Sequence, residues 1–237
     1  MTERGQITGP RKVLMRPRRI VDLSLPLDPR TQVYPGDPEV VFRPATRIED
    51  EGYNVLALEL GSHSGTHVDS PFHFFAGGER LDGLDLALFV GPALIADVTQ
   101  QDDREPIGWE ALHPYAEQLG PGTILVLRTG WSDRHYGTER YFDHPYLSAA
   151  ACERIVELGV RTLAIDALSP DETLVGDGEP RFDVHRLLLG AGGVIAENLA
   201  NLGAVDFEDP LLCLFPLRLD GDADGSPCRA VALELSG

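Results

Sequence analysis

One short stretch beginning at His63 constrains the backbone of this chain more than any other. Three of the seven histidines fall within eleven residues, with the spacing His-x3-His-x-Asp-x3-His. In an extended strand, His63 and His67 would lie on one face but about 13 Å apart, at a rise of ~3.3 Å per residue. The residues between them are poor helix formers, and Pro71 prevents a helix from continuing. If these side chains meet, the chain must fold back near Gly65, where glycine tolerates unusual dihedrals.

The side chains of this stretch are ligands that first-row divalent metals accept, namely neutral imidazole and carboxylate. We therefore predict His63, His67 and Asp69 as metal ligands. Two imidazoles and one carboxylate leave coordination positions open for water and substrate, which is typical of a catalytic site. A chance cluster of polar residues in a turn is the competing interpretation. His73 lies four residues after Asp69 and has three open roles: base, acid for the leaving group, or ligand of a second metal.

Two further sets of residues are weaker candidates when judged on spacing alone. His185 and Glu197 are separated by a predicted helix, glycines and a predicted strand, and they form a possible second pair of ligands. Phe72, Phe74, Phe75 and Trp131 are candidates for lining a pocket that binds an aryl group. Aromatic residues of this kind more often simply pack in a core.

Strand-like and helix-like patterns alternate along the chain. Apolar alternation and short buried runs predict strands, whereas helical periodicity with caps predicts helices. The predicted strands are 20–25, 53–60, 92–98, 122–128, 160–166, 193–199, 211–217 and 228–235. The predicted helices are 108–118, 148–158 and 183–189, the last with Asp183 as N-cap, and 167–181 is predicted as a polar loop. This order indicates an α/β fold, a single domain with a mixed β-sheet.

Length and charge limit the classes of function. The 237 residues are enough for one large domain with a substantial core, which we place at residues 20–237. Residues 1–19 carry six basic side chains against one acid and are predicted as a flexible arm, although the whole chain has a net charge of −18. A domain this acidic repels nucleic acids and anionic membranes, and we therefore expect neither as a partner.

Cysteine usage and hydropathy bear on location. The first 20 residues lack the apolar run of a signal peptide, and no stretch approaches the ~18 apolar residues of a membrane span. Cys152, Cys213 and Cys228 lie far apart without metal-binding spacing. A sparse, odd set of cysteines is typical of reduced thiols, so we expect a cytoplasmic protein.

The stretch from His63 to Phe74 closely resembles the signature of the metal-dependent cyclase superfamily, which includes bacterial kynurenine formamidase and isatin hydrolase. Four other segments resemble parts of that family in the same order. They are the turn at 33–37, the strand and loop at 159–169, the distal segment at 183–199, and the closing strands at 215–217 and 225–231. The resemblance therefore covers most of the chain.

The resemblance implies a swivelling β/β/α fold, usually assembled as dimers or larger homo-oligomers. It also implies one or two divalent ions, for which zinc and manganese are the candidates, and it associates the turn that carries Tyr34 with the substrate pocket. The roles it implies are first-metal ligands for His63, His67 and Asp69, catalytic acid or base for His73, and second-metal ligands for His185 and Glu197.

From these residues and the resemblance together we expect a metal-dependent hydrolase. It would cleave an amide-type C–N bond in a small molecule, such as a formamide or a lactam, with metal-activated water. One alternative is a metal-dependent cyclisation or dehydration of a small metabolite, and another is a metal-bearing protein without catalysis. Tyr34 stands where formamidases typically carry tryptophan, so the substrate itself stays open.

Overall fold

A nine-stranded mixed sheet forms the centre of the computed structural model, which describes residues 16–175 and 178–236. Two small two-stranded sheets accompany it. The strands are Pro17–Asp22 (β1), Val41–Thr46 (β2), Val55–Glu59 (β3), His67–Asp69 (β4), Val90–Asp97 (β5), Pro106–Ile107 (β6), Ile124–Arg128 (β7), Tyr146–Leu147 (β8), Thr162–Ile165 (β9), Val194–Glu197 (β10), Leu211–Cys213 (β11), Gly225–Pro227 (β12) and Val231–Leu235 (β13).

The order of strands in the large sheet is β1-β13-β11-β5-β7-β9-β10-β4-β12. The four central strands from β5 to β10 run parallel, whereas the pairs on both flanks are antiparallel. A parallel centre needs cover on both faces, and its strands are accordingly almost wholly apolar. The predicted mixed sheet is confirmed, and its central strands lie within the predicted ranges or within two residues of them.

Two apolar clusters, one on each face of the sheet, make up the core. Alternate residues of β7 point to opposite clusters, with Leu125 and Leu127 in one and Ile124 and Val126 in the other. This is the period of two that a strand imposes on its side chains. Because both faces are buried, the loops at the ends of the strands are held by a rigid support.

Helices cover one face of the sheet. The helices are Ile48–Glu51 (α1), Trp109–Leu112 (α2), Trp131–His135 (α3), Ala149–Glu157 (α4) and Asp183–Gly190 (α5). Two of the three predicted helices are found at α4 and α5. The predicted helix 108–118 is only four residues long and continues as 3₁₀ structure over His113–Gln118, where Pro114 lacks a backbone N–H to donate.

The first strand begins at Pro17, three residues earlier than predicted. It includes Arg18 and Arg19 and pairs with β13. Arg18 also lies 3.7 Å from the carboxylate of Glu234 on that neighbouring strand. The strand therefore takes in the last three residues of the predicted arm, and residues 1–15 of that arm lie outside the described residues.

The predicted strand 53–60 forms a hairpin with β2 instead of joining the large sheet. Both faces of this hairpin are open to solvent, and Leu56 and Leu58 are each more than half exposed. Among the described residues, no helix combines the length and the apolar character that a membrane span requires.

Candidate metal centre

The turn before β4 brings the first histidines together. Gly65 has a φ of +64°, a left-handed conformation in which other side chains are strained. The chain folds back at this residue, as the spacing predicts, and the rings of His63 and His67 come to 5.1 Å between centroids. The side chain of Thr66 ties the turn to the far side of the site, because its hydroxyl donates to the carbonyl of Asn198 at 2.6 Å.

Strand β4 carries the next two predicted ligands and lies between β10 and β12. In this register His67 is opposite Glu197, and Asp69 is opposite Gly225. His67 and Asp69 are two residues apart and so point to the same face of the sheet, whereas Val68 points into the core. The pairing of β4 with β10 thus places Glu197 beside the histidine segment, although 130 residues separate them.

Four side chains meet beneath this face, and we call them the inner set: His67, Asp69, His185 and Glu197. The Nε2 atom of His67 lies 3.3 Å from oxygens of both Asp69 and Glu197. The Nε2 atom of His185 lies 3.3 Å from Glu197 Oε1 and 3.5 Å from Asp69 Oδ2. All four side chains are buried, so the structure brings together four of the five predicted metal ligands in one dry cluster.

Three atoms of the inner set are buried without any hydrogen-bond partner: His67 Nε2, Asp69 Oδ2 and Glu197 Oε1. Buried polar atoms are rarely left unpaired, because each loses its contacts with water. A divalent cation between these atoms would restore the lost interactions. Imidazole nitrogen and carboxylate oxygen are also the donors that zinc and manganese accept, so the residues fit such an ion.

The outward-facing nitrogens of the inner histidines are held by other groups. His67 Nδ1 donates to the carbonyl of Gly65 at 2.7 Å, and His185 Nδ1 donates to Asp171 Oδ2 at 2.6 Å. Each of these hydrogen bonds leaves the lone pair of Nε2 directed at the cluster, as in protein sites that bind metals through histidine.

Asp171 was not predicted as part of the site. Its carboxylate also accepts the backbone N–H groups of Val184 and His185, and thereby caps the start of α5. The sequence predicts Asp183 as that cap, but Asp183 is the first residue of the helix and Phe182 occupies the capping position without a side-chain hydrogen bond. The same carboxylate thus holds both the helix and the His185 ring.

The electrostatic field of the inner set favours positive charge. Burial lowers the pKa of His67, but Asp69 and Glu197 outweigh it and raise the pKa to about 10. Burial raises the pKa of Asp69, but His63 and His67 outweigh it and hold the pKa well below the usual range of a carboxyl group. Two buried carboxylates that stay ionised and stabilise positive charge on the neighbouring histidines also favour a divalent cation, which competes with the histidine protons.

A second group lies nearer to solvent, and we call it the outer set: His63, His73 and Asp224. His63 Nδ1 is 2.7 Å from Asp69 Oδ1, which links this set to the inner one. On its other side, His63 Nε2 is 3.0 Å from Asp224 Oδ2, and His73 Nδ1 is 3.2 Å from the same oxygen. Asp224 was missed in the sequence, because it is one of several acids in an acidic loop far from the histidines.

Within residues 16–175 and 178–236, three groups of side chains bring ligand atoms within 4.8 Å of one another, close enough to hold a cation. Two of them are the predicted sets, His63 with His67 and Asp69, and Asp69 with His185 and Glu197. Asp69 belongs to both. The third group is the outer set itself.

A cavity of 360 Å³ opens above the centre. Histidines 63, 73 and 185 with Glu197 line its floor, and aromatic rings line its wall. The rings of Phe74 and Phe182 lie 5.1 Å apart, and Phe182 lies 6.1 Å from Tyr34. The structure thus places Tyr34 at the cavity, where we expect it to contact substrate.

Three of the other aromatic residues predicted for the pocket, Phe72, Phe75 and Trp131, do not line this cavity. Trp131 is buried in the core, and its indole N–H donates to the carbonyl of Tyr141 at 3.1 Å. Phe72 turns away from the cavity and packs under the guanidinium of Arg80, 4.4 Å from the ring centroid. Phe74, also a candidate from the sequence, does line the cavity, together with Phe182, which the sequence pattern did not single out.

The fold and the donor set together define a class: an α/β protein with an open site for divalent cations, as in metal-dependent hydrolases. A family model described as "Putative cyclase" matches residues 21–172. The chain belongs to this cyclase family.

Curated relatives cover nearly the whole chain. A kynurenine formamidase of Bacillus mycoides (strain KBAB4) is 34% identical over 220 residues, which is 92% of this chain and 98% of that protein. A kynurenine formamidase of Bacillus cereus is 33% identical over the same shares of the two chains.

Solved structures confirm the predicted cyclase-like fold. An isatin hydrolase bound to the product analogue thioisatinate has a TM-score of 0.80 at 25% identity and covers 92% of each chain. Isatin hydrolase A from Labrenzia aggregata has a TM-score of 0.81 at 24% identity, covering 91% of this chain and 93% of that one.

Proposed function

We propose that this protein is a metal-dependent hydrolase of amide-type C–N bonds in small molecules, with formamides and lactams as substrates. Its relatives are named for such hydrolases, kynurenine formamidase and isatin hydrolase. One observation carries the proposal: three buried donor atoms without partners lie beneath a cavity whose floor also holds His73.

Two groups of ligands that share Asp69 would each hold one ion. His63, His67 and Asp69 bind the first ion, and Asp69, His185 and Glu197 bind the second, each group having ligand atoms within 4.8 Å. When bound, a divalent cation lowers the pKa of coordinated water towards ~7 and polarises a carbonyl oxygen. Zinc and manganese both accept these donors.

His73 transfers a proton to the leaving nitrogen of the substrate. Its Nδ1 is engaged by Asp224, so Nε2 is the nitrogen that remains for this transfer. The ring is a cavity residue and is partly exposed, so a proton taken from it is replaced from solvent.

The aromatic wall binds the organic part of the substrate. Tyr34, Phe74 and Phe182 present ring faces and edges around one side of the cavity. An aryl group stacks or packs edge-on against such rings, while the amide lies at the polar floor. This arrangement favours aryl formamides and fused lactams.

The direct test is hydrolysis of N-formylkynurenine, formanilide and isatin by the purified protein, with and without a chelator. We expect turnover of at least one of them that disappears with chelation and returns with zinc or manganese. Turnover in oxygen-18 water then separates hydrolysis from cyclisation or dehydration, because only hydrolysis places the label in the product. Unlabelled product, with exchange excluded, contradicts the proposal.

Metal analysis tests the identity and number of ions. We expect zinc or manganese to co-purify and two ions per chain at saturation, one for each group of ligands. Glu197→Gln removes a donor of the second group only and is expected to reduce the count from two to one. An unchanged count contradicts the assignment of Glu197.

We also propose a homodimer or larger homo-oligomer, built through the β2–β3 hairpin. A two-stranded hairpin that is open on both faces is marginally stable by itself, so it needs a partner surface. Light scattering on the purified protein measures the assembly. Leu56→Asp on the hairpin is expected to shift the assembly towards monomer, whereas Leu86→Asp, at a somewhat more exposed leucine elsewhere, leaves it unchanged.

We place the protein in the cytoplasm. The three cysteines are unpaired in the structure, and Cys152 is fully buried. Free buried thiols are typical of a reducing compartment. Cell fractionation with an antibody to the protein tests this location, and recovery from a secreted fraction contradicts it.

A further inference from the structure

We propose that Asp224 is a positioning residue that sets the ring tautomer and the orientation of both His63 and His73. The inference rests on the proposed hydrolase function, in which His63 binds the cation and His73 moves the proton. One carboxylate oxygen lies within hydrogen-bond distance of a nitrogen of each ring, and this shared contact carries the proposal.

The geometry fixes which nitrogens carry protons. Asp224 Oδ2 is 3.0 Å from His63 Nε2 and 3.2 Å from His73 Nδ1. An ionised carboxylate only accepts hydrogen bonds, so both of these ring nitrogens are N–H donors. The other oxygen, Oδ1, accepts from the hydroxyl of Ser62 at 2.8 Å, which fixes the rotation of the carboxylate.

For His63, a proton on Nε2 leaves the lone pair of the neutral ring on Nδ1. That nitrogen faces the inner set at 2.7 Å from Asp69 Oδ1, so by the same rule it carries a proton until a cation at Asp69 replaces that proton, while Asp224 keeps the other proton on Nε2. Asp224 therefore presents to the cation the nitrogen that is able to bind it. His67 and His185 achieve the same result with opposite nitrogens, through Gly65 and Asp171.

For His73, a proton on Nδ1 leaves Nε2 available for proton transfer at the cavity. The ring is also held between two neighbours. It lies 4.0 Å from the His63 ring at an angle of 35°, and 4.7 Å from the Phe74 ring at 84°. With Asp224 at one edge, the ring has little freedom to rotate.

The backbone around Asp224 is itself fixed. Its carbonyl accepts both the backbone N–H of Ser70 at 2.8 Å and the hydroxyl of Ser70 at 3.0 Å. The next residue must be glycine, because a Cβ at Gly225 would lie 2.8 Å from His63 Cε1 and 2.9 Å from the carbonyl of Val68. This close approach brings the carboxylate within reach of both rings.

A different role for the same residues is direct binding of a cation, since His63, His73 and Asp224 also lie within ligand distance of one another. The two roles predict different metal counts. A positioning residue leaves the count unchanged when it is replaced under saturating metal, whereas a ligand takes one ion with it.

The test compares Asp224→Asn, which keeps the shape of the side chain, with Asp222→Asn in the same loop. Asp222 faces solvent and pairs with Arg80, so it serves as a matched control. Nitrogen-15 NMR of histidine-labelled, zinc-loaded protein reports the tautomers without any need for activity. In the unchanged protein we expect Nε2–H for His63 and Nδ1–H for His73.

In Asp224→Asn we expect altered tautomer signals for both rings, an unchanged zinc count at saturation, and a fall in kcat of about 10- to 100-fold with KM nearly constant. Asp222→Asn is expected to match the unchanged protein. The opposite tautomers in the unchanged protein, unaltered signals in the Asn variant, or the loss of one zinc overturns the proposal. If no substrate is turned over while the tautomers are as expected, the proposed function fails and the positioning role stands.

Discussion

The inner and outer sets of the site contain the same kinds of side chain but differ in burial and in hydrogen bonding. The inner set is buried and leaves three atoms without partners. In the outer set the exposed side-chain fractions are 15% for His63, 28% for His73 and 33% for Asp224, and each of the three has a partner. A bound cation would give buried ligand atoms the partner that they lack, whereas proton exchange needs access to solvent. On the proposed assignment, the buried inner set holds the ions, His63 is the one metal ligand that belongs to the outer set, and the more exposed His73 and Asp224 serve proton transfer.

The largest effect is expected from Asp69→Asn, at the carboxylate shared by both groups of ligands. The change removes a negative charge from the middle of the inner set, so we expect loss of bound metal and of all measurable hydrolysis. Metal analysis and an activity assay check this. Asp50→Asn on the exposed helix α1 is the control. If Asp69→Asn still binds a full complement of metal, the inner set is not the metal site and the distinction between the two sets fails.

His73→Ala is expected to lower kcat by about 10²- to 10⁴-fold, the usual contribution of a general acid or base. Because His73 belongs to neither proposed group of metal ligands, the metal content at saturation is expected to stay the same. Steady-state kinetics and metal analysis on one preparation measure kcat and the metal content. Full turnover with metal retained refutes the role of His73 in proton transfer, and loss of an ion makes it a ligand.

Asp171→Asn is expected to weaken metal binding by about 10- to 100-fold, because His185 loses the carboxylate that orients its ring. Competition with a chromogenic chelator measures the affinity. Asp183→Asn is the matched control, since Asp183 starts the same helix without capping it through its side chain. Equal affinities for the two variants contradict the role of Asp171.

The smallest effect concerns the aromatic wall. Phe74→Ala removes a ring that lines the cavity, and we expect KM for an aryl substrate to rise a few-fold to about tenfold, from ~0.5–1.5 kcal/mol. Phe72→Ala is the control, because that ring packs under Arg80 outside the cavity. If KM rises more for Phe72→Ala than for Phe74→Ala, the assignment of Phe74 to the substrate pocket is contradicted.

Much of the fold and the centre of the site follow from local patterns. The central strands are short apolar runs, which are typical of strands that are buried on both faces. The fold-back at Gly65 follows from distance alone, since an extended chain holds His63 and His67 too far apart to meet. These inferences need only the geometry of a few neighbouring residues.

The residues missed in the sequence act over long distances in the chain. Asp224 contacts His73, from which it is separated by 151 positions in the sequence, and Asp171 contacts His185 at a separation of 14 positions. Neither differs in local pattern from other acids nearby, such as Asp222. Trp131 is predicted at the substrate because its neighbouring sequence is polar and aromatic, whereas tertiary packing buries its ring away from the cavity.

The most direct test of the account is an anomalous diffraction map of crystals loaded with zinc. We predict peaks within the inner set, in contact with Asp69, with His67 and His185 as neighbouring ligands. A peak among His63, His73 and Asp224 alone, or a loaded crystal in which the inner carboxylates contact no ion, contradicts the assignment.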